Sequence, residues 1–271
     1  MSEAPLDSDL DAAALRAELG AGPESLWTSV TVVPSTGSTN ADLLAAGGAE
    51  GQVLAAEEQT AGRGRMGRTW VSQPGAALTF SVLLRPATVP VERRGWLTLL
   101  AGVAVAQAVR AVGGLPAMLK WPNDVLVNGR KLCGILAEQT ADGAVVIGMG
   151  INVSTTADAL PAGPGGLPGT SIAIEGGDIS RQRLLAETLR QLERCYTAFR
   201  DTPDPELTGL LAEYRALCAT LGQQVRAEIP GGRAVTGEAT GVDADGRLLI
   251  RDQGAGGTET PVSAGDIVHL R

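Results

Sequence analysis

Residues 62–68 combine three glycines with three arginines, a composition suited to binding anions. Glycine lets backbone amides approach a negative charge closely. The planar guanidinium group of arginine donates several hydrogen bonds at once to a carboxylate or phosphate. The segment is not a Walker A loop, because no Gly-Lys followed by Ser or Thr occurs in it. Arg63, Arg65 and Arg68 are therefore candidate anion ligands, with a flexible basic surface loop as the alternative.

Lys120 is a second candidate, because it ends a short apolar run just before Trp121 and Pro122. A proline-enforced turn can hold the ammonium group in a cleft. There it could stabilise the negative charge that develops when a carboxylate attacks a phosphate. Asp124 could hold magnesium, and Asn123 could donate to a phosphate or a ribose. An ordinary surface turn is the alternative.

Two further segments carry small or polar residues where packing alone would favour larger ones. Gly148 and Gly150 alternate within a predicted strand, which weakens it unless a ligand or a helix approaches closely. Ser38, Thr39 and Asn40 stand at a predicted helix start, where a single N-cap explains only one of them. Both segments are candidate ligand contacts, with a bulge or tight packing as the alternative for the glycines.

The elements that position these residues are a mixture of strands and helices. Strands are predicted from hydrophobic runs and turn signals at residues 30–33, 53–58, 77–84, 118–121 and 144–153, with a hairpin at 124–138 that turns at Asn128 and Gly129. Helices are predicted at residues 10–19, from 41 onward, and at 96–112, 180–199 and 206–219. Residues 155–170 are predicted to form a surface loop. Residues 225–270 contain short β segments broken at 230–232, 245–246 and 254–257, which predicts a separate small β module.

Composition excludes several classes of protein. The 271 residues are 44% hydrophobic and carry a formal net charge of -8, which disfavours nucleic-acid binding. Cys133, Cys195 and Cys218 share no metal-ligand spacing and are interpreted as free thiols of a reducing cytoplasm. The sequence shows neither the apolar core of a signal peptide nor an apolar run of about 20 residues, so no membrane association is expected. His269 is the one histidine, so a histidine-based catalytic centre is not expected.

In chain order these motifs resemble the biotin protein ligases. The resemblance covers about residues 30–271 and rests on segments 38–40, 58–70, 120–124, 130–136 and 148–153. It implies an α+β fold: a mostly antiparallel mixed sheet with helices on one side, as in biotin and lipoyl ligases, and a small C-terminal SH3-like β-barrel. The implied domains are an N-terminal lead-in (1–28), a catalytic domain (29–221) and the C-terminal domain (222–271). We expect the C-terminal domain to lie far from the ligand motifs and to act in docking or closure.

The resemblance also implies a role for each motif. Biotin would be bound by the polar triplet, by segment 62–68 and by residues of the sheet beneath the ligand. These residues are Ser38, Thr39, Asn40, Gln59, Arg63, Gly64, Arg65, Lys120, Gly134 and Ile135. ATP would be bound by Arg65, Arg68, Trp70, Lys120, Asn123 and Asn152, with Trp70 stacked on adenine. The catalytic residues would be Lys120, Arg63 and Arg65, and Asp124 is the candidate magnesium ligand.

The implied reaction is the ATP-dependent activation of biotin to biotinyl-5'-AMP. Biotin is then transferred to a lysine of the biotin carboxyl carrier domain of a carboxylase. Magnesium and ATP are expected as metal and co-substrate, without a tightly bound prosthetic group. Two alternatives stay open: a lipoyl or octanoyl ligase of the same fold, and a non-enzymatic biotin-sensing regulator. The short acidic lead-in argues against the regulator, and we expect no DNA-binding module and no nucleic-acid partner.

Segment 62–68 is expected to repel itself and to be mobile without ligand.

Overall fold

The protein contains one mixed sheet and one antiparallel sheet. The computed structural model describes residues 9–20, 25–161, 166–229, 233–252, 257–263 and 265–270. The first sheet has the strand order β1-β2-β3-β7-β6-β5-β4, formed by β1 (Ser29–Thr36), β2 (Gln52–Gln59), β3 (Ala77–Leu84), β4 (Ala117–Lys120), β5 (Asp124–Val127), β6 (Arg130–Gln139) and β7 (Val145–Asn152). The second has the order β11-β10-β9-β8-β12, formed by β8 (Gln224–Ile229), β9 (Arg233–Val242), β10 (Leu248–Arg251), β11 (Glu259–Val262) and β12 (Asp266–His269). The helices are α1 (Ala12–Glu18), α2 (Thr39–Ala46), α3 (Trp96–Gly113), α4 (Arg181–Asp201) and α5 (Leu210–Leu217).

The first sheet is mixed, as the family resemblance implies. β1 and β2 are parallel, and every other neighbouring pair is antiparallel. Asn128 and Gly129 have φ angles of 49° and 73°, which is the type I′ geometry expected for the turn between β5 and β6. The register places Ser81 beside Gly148 and Gly150 beside Gly134, so small residues from three central strands adjoin on one face.

Helix α3 is apolar on nearly all sides because it lies inside the core. The segment Val91–Gly113 is long and apolar enough to cross a membrane, but most of it is buried within the protein. It packs along α4, and the Trp96 ring contacts Tyr214 edge-on at a centroid distance of 5.8 Å. Burial within the fold therefore accounts for the apolar composition of α3.

Helices lie on both faces of the first sheet, so the expectation of helices on one side was wrong. Helix α2 buries Leu43 against Leu54, Leu83 and Val146, whereas α3 and α4 pack on the opposite face. All eight residues of β3 are buried, which shows that both of its faces are covered. The sequence predicted β3 as a strand but did not indicate that both of its faces would be buried.

Two other expectations differ in detail from the structure. Helix α5 is shorter than the predicted 206–219: the Asp204 side chain accepts from the amides of Glu206 and Leu207 in a separate turn, and Gly209, with a φ of 75°, ends that turn before α5 begins. The ends of the expected surface loop 155–170 are buried, since Thr155 and Thr170 have at most 1% of their surface exposed. Residues 162–165 of that loop and the predicted break at 230–232 lie outside the described residues.

The second sheet is antiparallel, and β11 and β12 are its edges; among the described residues no pairing closes it into a barrel. It is hydrogen-bonded to the rest of the chain. The indole N–H of Trp96 donates to the Ala244 carbonyl at 2.9 Å, and that of Trp121 donates to the Gly246 carbonyl at 3.1 Å. These bonds hold the turn between β9 and β10 against the start of α3 and the end of β4.

Candidate active site

One cavity lies on the sheet face that α2 covers. Every residue predicted from sequence as a biotin, ATP, catalytic or metal contact lines it. Those residues are Ser38, Thr39, Asn40, Gln59, Arg63, Gly64, Arg65, Arg68, Trp70, Lys120, Asn123, Asp124, Gly134, Ile135 and Asn152. The structure therefore brings together segments that are far apart in the sequence, while their individual ligand roles stay predictions.

Glycines of β6 and β7 form part of the cavity wall because side chains from elsewhere lie directly on them. A Cβ atom at Gly150 would stand 2.4 Å from a ring carbon of Trp70, and one at Gly148 would stand 2.2 Å from the Asn40 Oδ1. At either distance the facing side chain would have to move, so a residue larger than glycine would displace Trp70 or Asn40. The close approach inferred from the sequence is thus made by Trp70 and Asn40. The indole N–H of Trp70 is buried and has no hydrogen-bond partner among the described residues.

The polar triplet at the start of α2 belongs to a buried hydrogen-bond network. The Ser38 Oγ caps the helix by accepting from the Ala41 amide. Gln59 Oε1 accepts from both the backbone N–H and the hydroxyl of Thr39, at 2.9 and 3.1 Å. The Ser81 hydroxyl lies 2.7 Å from that of Thr39. A single cap thus explains only Ser38, and the other polar groups fix each other in place.

This network determines which hydrogen bonds remain for a ligand. Asn40 Nδ2 donates to the Leu136 carbonyl at 3.1 Å and to Glu138 at 2.8 Å, which uses both of its hydrogens. Its Oδ1 accepts from Ser81 at 2.6 Å and keeps one free lone pair, so Asn40 can only accept from a ligand. Gln59 is restricted in the opposite sense: its oxygen is occupied, and its amide nitrogen donates to none of the described residues. A ligand that both donates N–H and accepts at a carbonyl matches this arrangement.

Lys120 lies deep in the cavity at the end of β4, with 8% of its surface exposed. Its Nζ donates to the Ile267 carbonyl at 2.6 Å. Burial lowers the pKa of this ammonium, and the nearby Asp124 carboxylate opposes that shift. Lys131 pairs with Asp124 at 2.6 Å and adds a second positive charge that the site-residue prediction did not include. The described residues contain no cluster of three or more His, Cys, Asp or Glu arranged for a metal ion.

The arginine–glycine segment folds into a short hairpin over the cavity. The Gly64 amide donates to the Arg68 carbonyl at 2.7 Å, and the Trp70 amide donates to the Gly62 carbonyl at 2.9 Å. Met66, at its tip, has a positive φ of 56° and is exposed. Segment 62–68 is hereafter called the arginine loop.

Each arginine of this loop has a partner in the protein, which corrects the expectation that the loop repels itself. Arg63 pairs with Glu138 at 3.0 Å, and Arg65 donates to Asn123 Oδ1 at 2.8 Å. Arg68 binds Asp266 with two parallel hydrogen bonds of 2.7 and 2.9 Å. That contact raises the pKa of Arg68, whereas burial lowers the pKa of Arg65. The expected mobility of the loop stays a prediction.

The C-terminal sheet takes part in the cavity, so the expectation that it lies far from the ligand motifs was wrong. Asp266 and Ile267 of β12 line the cavity and contact Arg68 and Lys120. The sequence analysis also missed several contributors from the first sheet: Ser81, Lys131 and Glu138. Lys131 alone had a signal, since it follows the Asn-Gly turn within a motif that carries the family resemblance. Asn152, which was predicted, donates to the Thr170 carbonyl at 3.0 Å.

Sequence comparison relates the chain to known ligases. Residues 29–154 match the biotin/lipoate A/B protein ligase family, and residues 220–270 match the C-terminal domain of biotin protein ligases. The chain is 45% identical over 270 residues to the biotin--[acetyl-CoA-carboxylase] ligase of Mycobacterium tuberculosis, covering 97% of this chain and 96% of that protein. It is 34% identical to the bifunctional ligase/repressor BirA of Escherichia coli, covering 83% of this chain and 70% of the relative.

Solved structures give the same relation. The biotin protein ligase of Aquifex aeolicus in complex with biotin and ATP superposes with a TM-score of 0.76 at 27% identity, covering 90% of this chain and all of the other. The biotin protein ligase of Leishmania major in complex with biotinyl-5-AMP superposes with a TM-score of 0.61 at 25% identity, covering 88% of this chain and 99% of that one.

Proposed function

The chain belongs to the biotin protein ligase family, and from that premise we propose that it activates biotin with ATP to biotinyl-5'-AMP and then biotinylates a protein. The acceptor is a specific lysine on the biotin carboxyl carrier domain of acetyl-CoA carboxylase or a related carboxylase. One observation carries the proposal: a neutral polar pocket adjoins a cluster of arginine and lysine side chains within a single cavity. Biotin, with a cyclic urea at one end and a carboxylate at the other, fits both ends. We also propose that the protein acts in the cytoplasm.

The polar pocket supplies the recognition of the urea. Asn40 Oδ1 accepts from a urea N–H, and the free amide nitrogen of Gln59 donates to the urea carbonyl. Ser38 and Thr39 complete this end of the pocket, and Gly134 and Ile135 form the floor beneath the bicyclic ring. A buried polar group left unpaired is costly, so a pocket of this polarity discriminates against ligands that lack the urea.

The cationic end supplies the chemistry. In the first step a carboxylate oxygen of biotin attacks the α-phosphorus of ATP, the bond to the bridging oxygen breaks, and pyrophosphate leaves. Lys120 stabilises the charge that develops at the α-phosphate, while Arg63 and Arg65 hold the carboxylate and phosphates. Arg68, Asn123 and Asn152 bind the nucleotide in this assignment, and Trp70 stacks on adenine.

The second step transfers the acyl group. The uncharged amine of the acceptor lysine attacks the acyl carbon of the anhydride, the carbon–oxygen bond to AMP breaks, and a proton is lost to solvent. No covalent intermediate with the enzyme is needed. Positioning and exclusion of water by the arginine loop account for most of the catalysis.

Magnesium is a proposed metal for this site. Asp124 offers one largely buried carboxylate beside Lys120, and magnesium in nucleotide sites is commonly held by one or two carboxylates together with substrate phosphates. That donor set fits a magnesium ion that enters with ATP. Bound there, the ion would neutralise phosphate charge.

The alternatives differ in the ligand they need. Lipoate and octanoate carry a carboxylate but no urea, so they would leave Asn40 and Gln59 unpaired. A non-enzymatic regulator would bind biotin without consuming ATP. Both alternatives are therefore separated from the proposal by the same pair of measurements.

The test is calorimetric titration of the full chain with biotin, lipoate and octanoate, followed by a pyrophosphate-release assay with each acid and ATP. We expect binding and pyrophosphate release with biotin, and transfer of biotin to an isolated carrier domain. Preference for lipoate would replace the proposal with the lipoyl ligase alternative, and biotin binding without pyrophosphate release would favour the regulator.

A further inference from the structure

Glu138 lies on β6 between the polar pocket and the arginine loop, and nothing in the sequence analysis assigned it a role. One carboxylate oxygen accepts from Asn40 Nδ2 at 2.8 Å, and the other pairs with the Arg63 guanidinium at 3.0 Å. The side chain is 21% exposed, so it is largely shielded from solvent. A single carboxylate thus touches both halves of the site.

On the pocket side, Glu138 determines the orientation of the Asn40 amide. A carboxylate can only accept hydrogen bonds, so it must face the Nδ2 end of the amide. The Leu136 carbonyl accepts the other Nδ2 hydrogen, and the Ser81 hydroxyl donates to Oδ1. With these three partners the oxygen of Asn40 is the end left with accepting capacity for a ligand.

On the loop side, Glu138 is the carboxylate that pairs with Arg63, and no second ion-pair partner for Arg63 is found among the described residues. The backbone of the loop pairs with itself, through a β-bridge between Arg63 and Thr69. The hairpin is therefore attached to β6 through side chains. The Arg63 side chain is itself 50% exposed. Glu138 is therefore one of the groups that hold the loop down over the cavity.

We propose that Glu138 is a positioning residue that couples ligand recognition in the polar pocket to closure of the arginine loop. The proposal rests on the proposed function, since it takes the pocket ligand to be biotin and the loop ligand to be the adenylate. The carboxylate holds Asn40 ready to accept from the urea and at the same time keeps Arg63 over the carboxylate and phosphates. Because Glu138 stabilises both arrangements at once, biotin binding should favour closure of the loop, and closure should favour biotin binding by the same factor.

Glu138→Gln separates this role from simple filling of space. The glutamine has the same shape but only one accepting oxygen, so it cannot accept from Asn40 and Arg63 together. Its NH₂ group would face a donor on one side or the other. We expect the Kd for biotin to rise at least about tenfold, and bound biotinyl-5'-AMP to dissociate at least about tenfold faster, since each partner loses a charge-assisted bond.

The chain offers a matched control in Glu213. That carboxylate is also shared between an arginine, Arg194 at 2.8 Å, and a carboxamide, Gln107 at 2.9 Å. Its exposed fraction of 24% and that of its arginine, 52%, nearly equal those at Glu138 and Arg63. Both partners use the same oxygen of Glu213, so Glu213→Gln removes the shared negative charge on α5, away from the cavity, without removing the shared acceptor. It should therefore leave biotin affinity and adenylate release unchanged.

The experiment is titration of biotin and a chase of labelled adenylate on the wild type, Glu138→Gln, Glu138→Asp and Glu213→Gln. Glu138→Asp restores the accepting carboxylate and should recover part of the biotin affinity. The proposal is overturned if Glu138→Gln changes only one of the two quantities, or neither beyond about twofold. It is also overturned if the aspartate is no better than the glutamine. A wild type that binds no biotin would instead refute the proposed function.

Discussion

The polar pocket and the arginine loop hold their side chains by different means. In the pocket, Thr39 and Asn40 are 3% exposed, Ser81 is fully buried, and all three bond to each other or to backbone. In the loop, Arg63 and Arg68 are about half exposed and are held by carboxylates. Buried hydrogen bonds are costly to leave unmade, whereas exposed ion pairs contribute about 0–1 kcal/mol and are readily exchanged. The pocket is thus built to select a ligand, whereas Arg65 and Arg68 of the loop can exchange their protein partners for a substrate.

The largest effect should come from Lys120, which lies where the two regions meet. Lys120→Ala removes a buried ammonium placed to stabilise the developing charge. We expect adenylate formation to slow by roughly two to three decades, equivalent to about 2–4 kcal/mol, while biotin affinity falls by a smaller factor. Single-turnover pyrophosphate release measures the first quantity, and titration measures the second.

Lys131 provides the comparison for that prediction. Its ammonium lines the same cavity but pairs with Asp124 at 2.6 Å, so it is less free to bind a phosphate. Lys131→Ala should therefore slow adenylation less than Lys120→Ala does. Pyrophosphate release by Lys120→Ala within about tenfold of the wild type would remove Lys120 from the mechanism.

A second prediction concerns the rigidity of the pocket. In Gly148→Ala the new Cβ would lie 2.2 Å from Asn40 Oδ1, so the amide must move and its network must break. We expect biotin affinity to fall by more than about tenfold, with a loss of stability of about 1–3 kcal/mol from overpacking. Titration and chemical denaturation give the two values.

Gly241→Ala is the matched control, because it also adds a methyl group to a strand glycine. Its Cβ would meet only the Leu249 Cδ1 at 3.7 Å, an ordinary contact distance. It should leave biotin binding unchanged. Normal biotin affinity in Gly148→Ala would show that the pocket adapts as readily as the loop, and the contrast between them would be lost.

Sequence patterns predicted the elements better than the contacts between them. The strand at Ala77–Leu84, the hairpin turn at Asn128 and the apolar helix α3 follow from local periodicity and turn chemistry, and the structure confirms all three. Motifs of unusual composition indicated many residues of the cavity, whereas Gln59, Trp70, Gly134 and Ile135 were expected from the family resemblance alone. Ser81 and Glu138 were missed because each is an ordinary residue in its own segment, and only the register of β3, β6 and β7 brings them to Asn40.

The role of the C-terminal sheet could not be predicted for the same reason. Asp266 and Arg68 are 198 positions apart in the chain, and no local pattern connects them. The change in composition after residue 221 was interpreted as separation in space. The bonds from Trp96 and Trp121 to the turn between β9 and β10 instead hold the second sheet against the cavity.

A third prediction tests the exchange of partners in the loop. Arg65→Ala removes a guanidinium that donates to Asn123 in this structure and is assigned to the substrate anion. We expect biotinyl-5'-AMP to leave the enzyme about tenfold faster, since one charge-assisted contact is lost. The released anhydride should then label lysines of a bystander protein.

Limited proteolysis at Arg63 and Arg65 examines the loop itself. Cleavage should be fast in the wild type alone and slow with biotin and ATP, because the ligand anions give the loop arginines additional, better-shielded partners. Equal cleavage under the two conditions would contradict ordering of the loop. Unchanged leakage of the anhydride from Arg65→Ala would contradict its role in sequestration.

The smallest effect should come from Asp266, the partner that ties the arginine loop to the C-terminal sheet. Hydrogen bonding to Arg68 holds the pKa of this carboxyl below its ordinary value. A carboxyl whose pKa is lower in the folded than in the unfolded state contributes stability that is fully present above the unfolded pKa. That contribution is lost as the pH falls through the folded pKa.

Asp266→Asn should therefore destabilise the protein by less than about 1 kcal/mol at neutral pH, because the pair is partly exposed. The difference between wild type and variant should shrink under acid conditions, as measured by urea denaturation across the acidic range. A difference that is independent of pH would mean that the ion pair with Arg68 does not hold the loop, and that shape or backbone bonds do so instead.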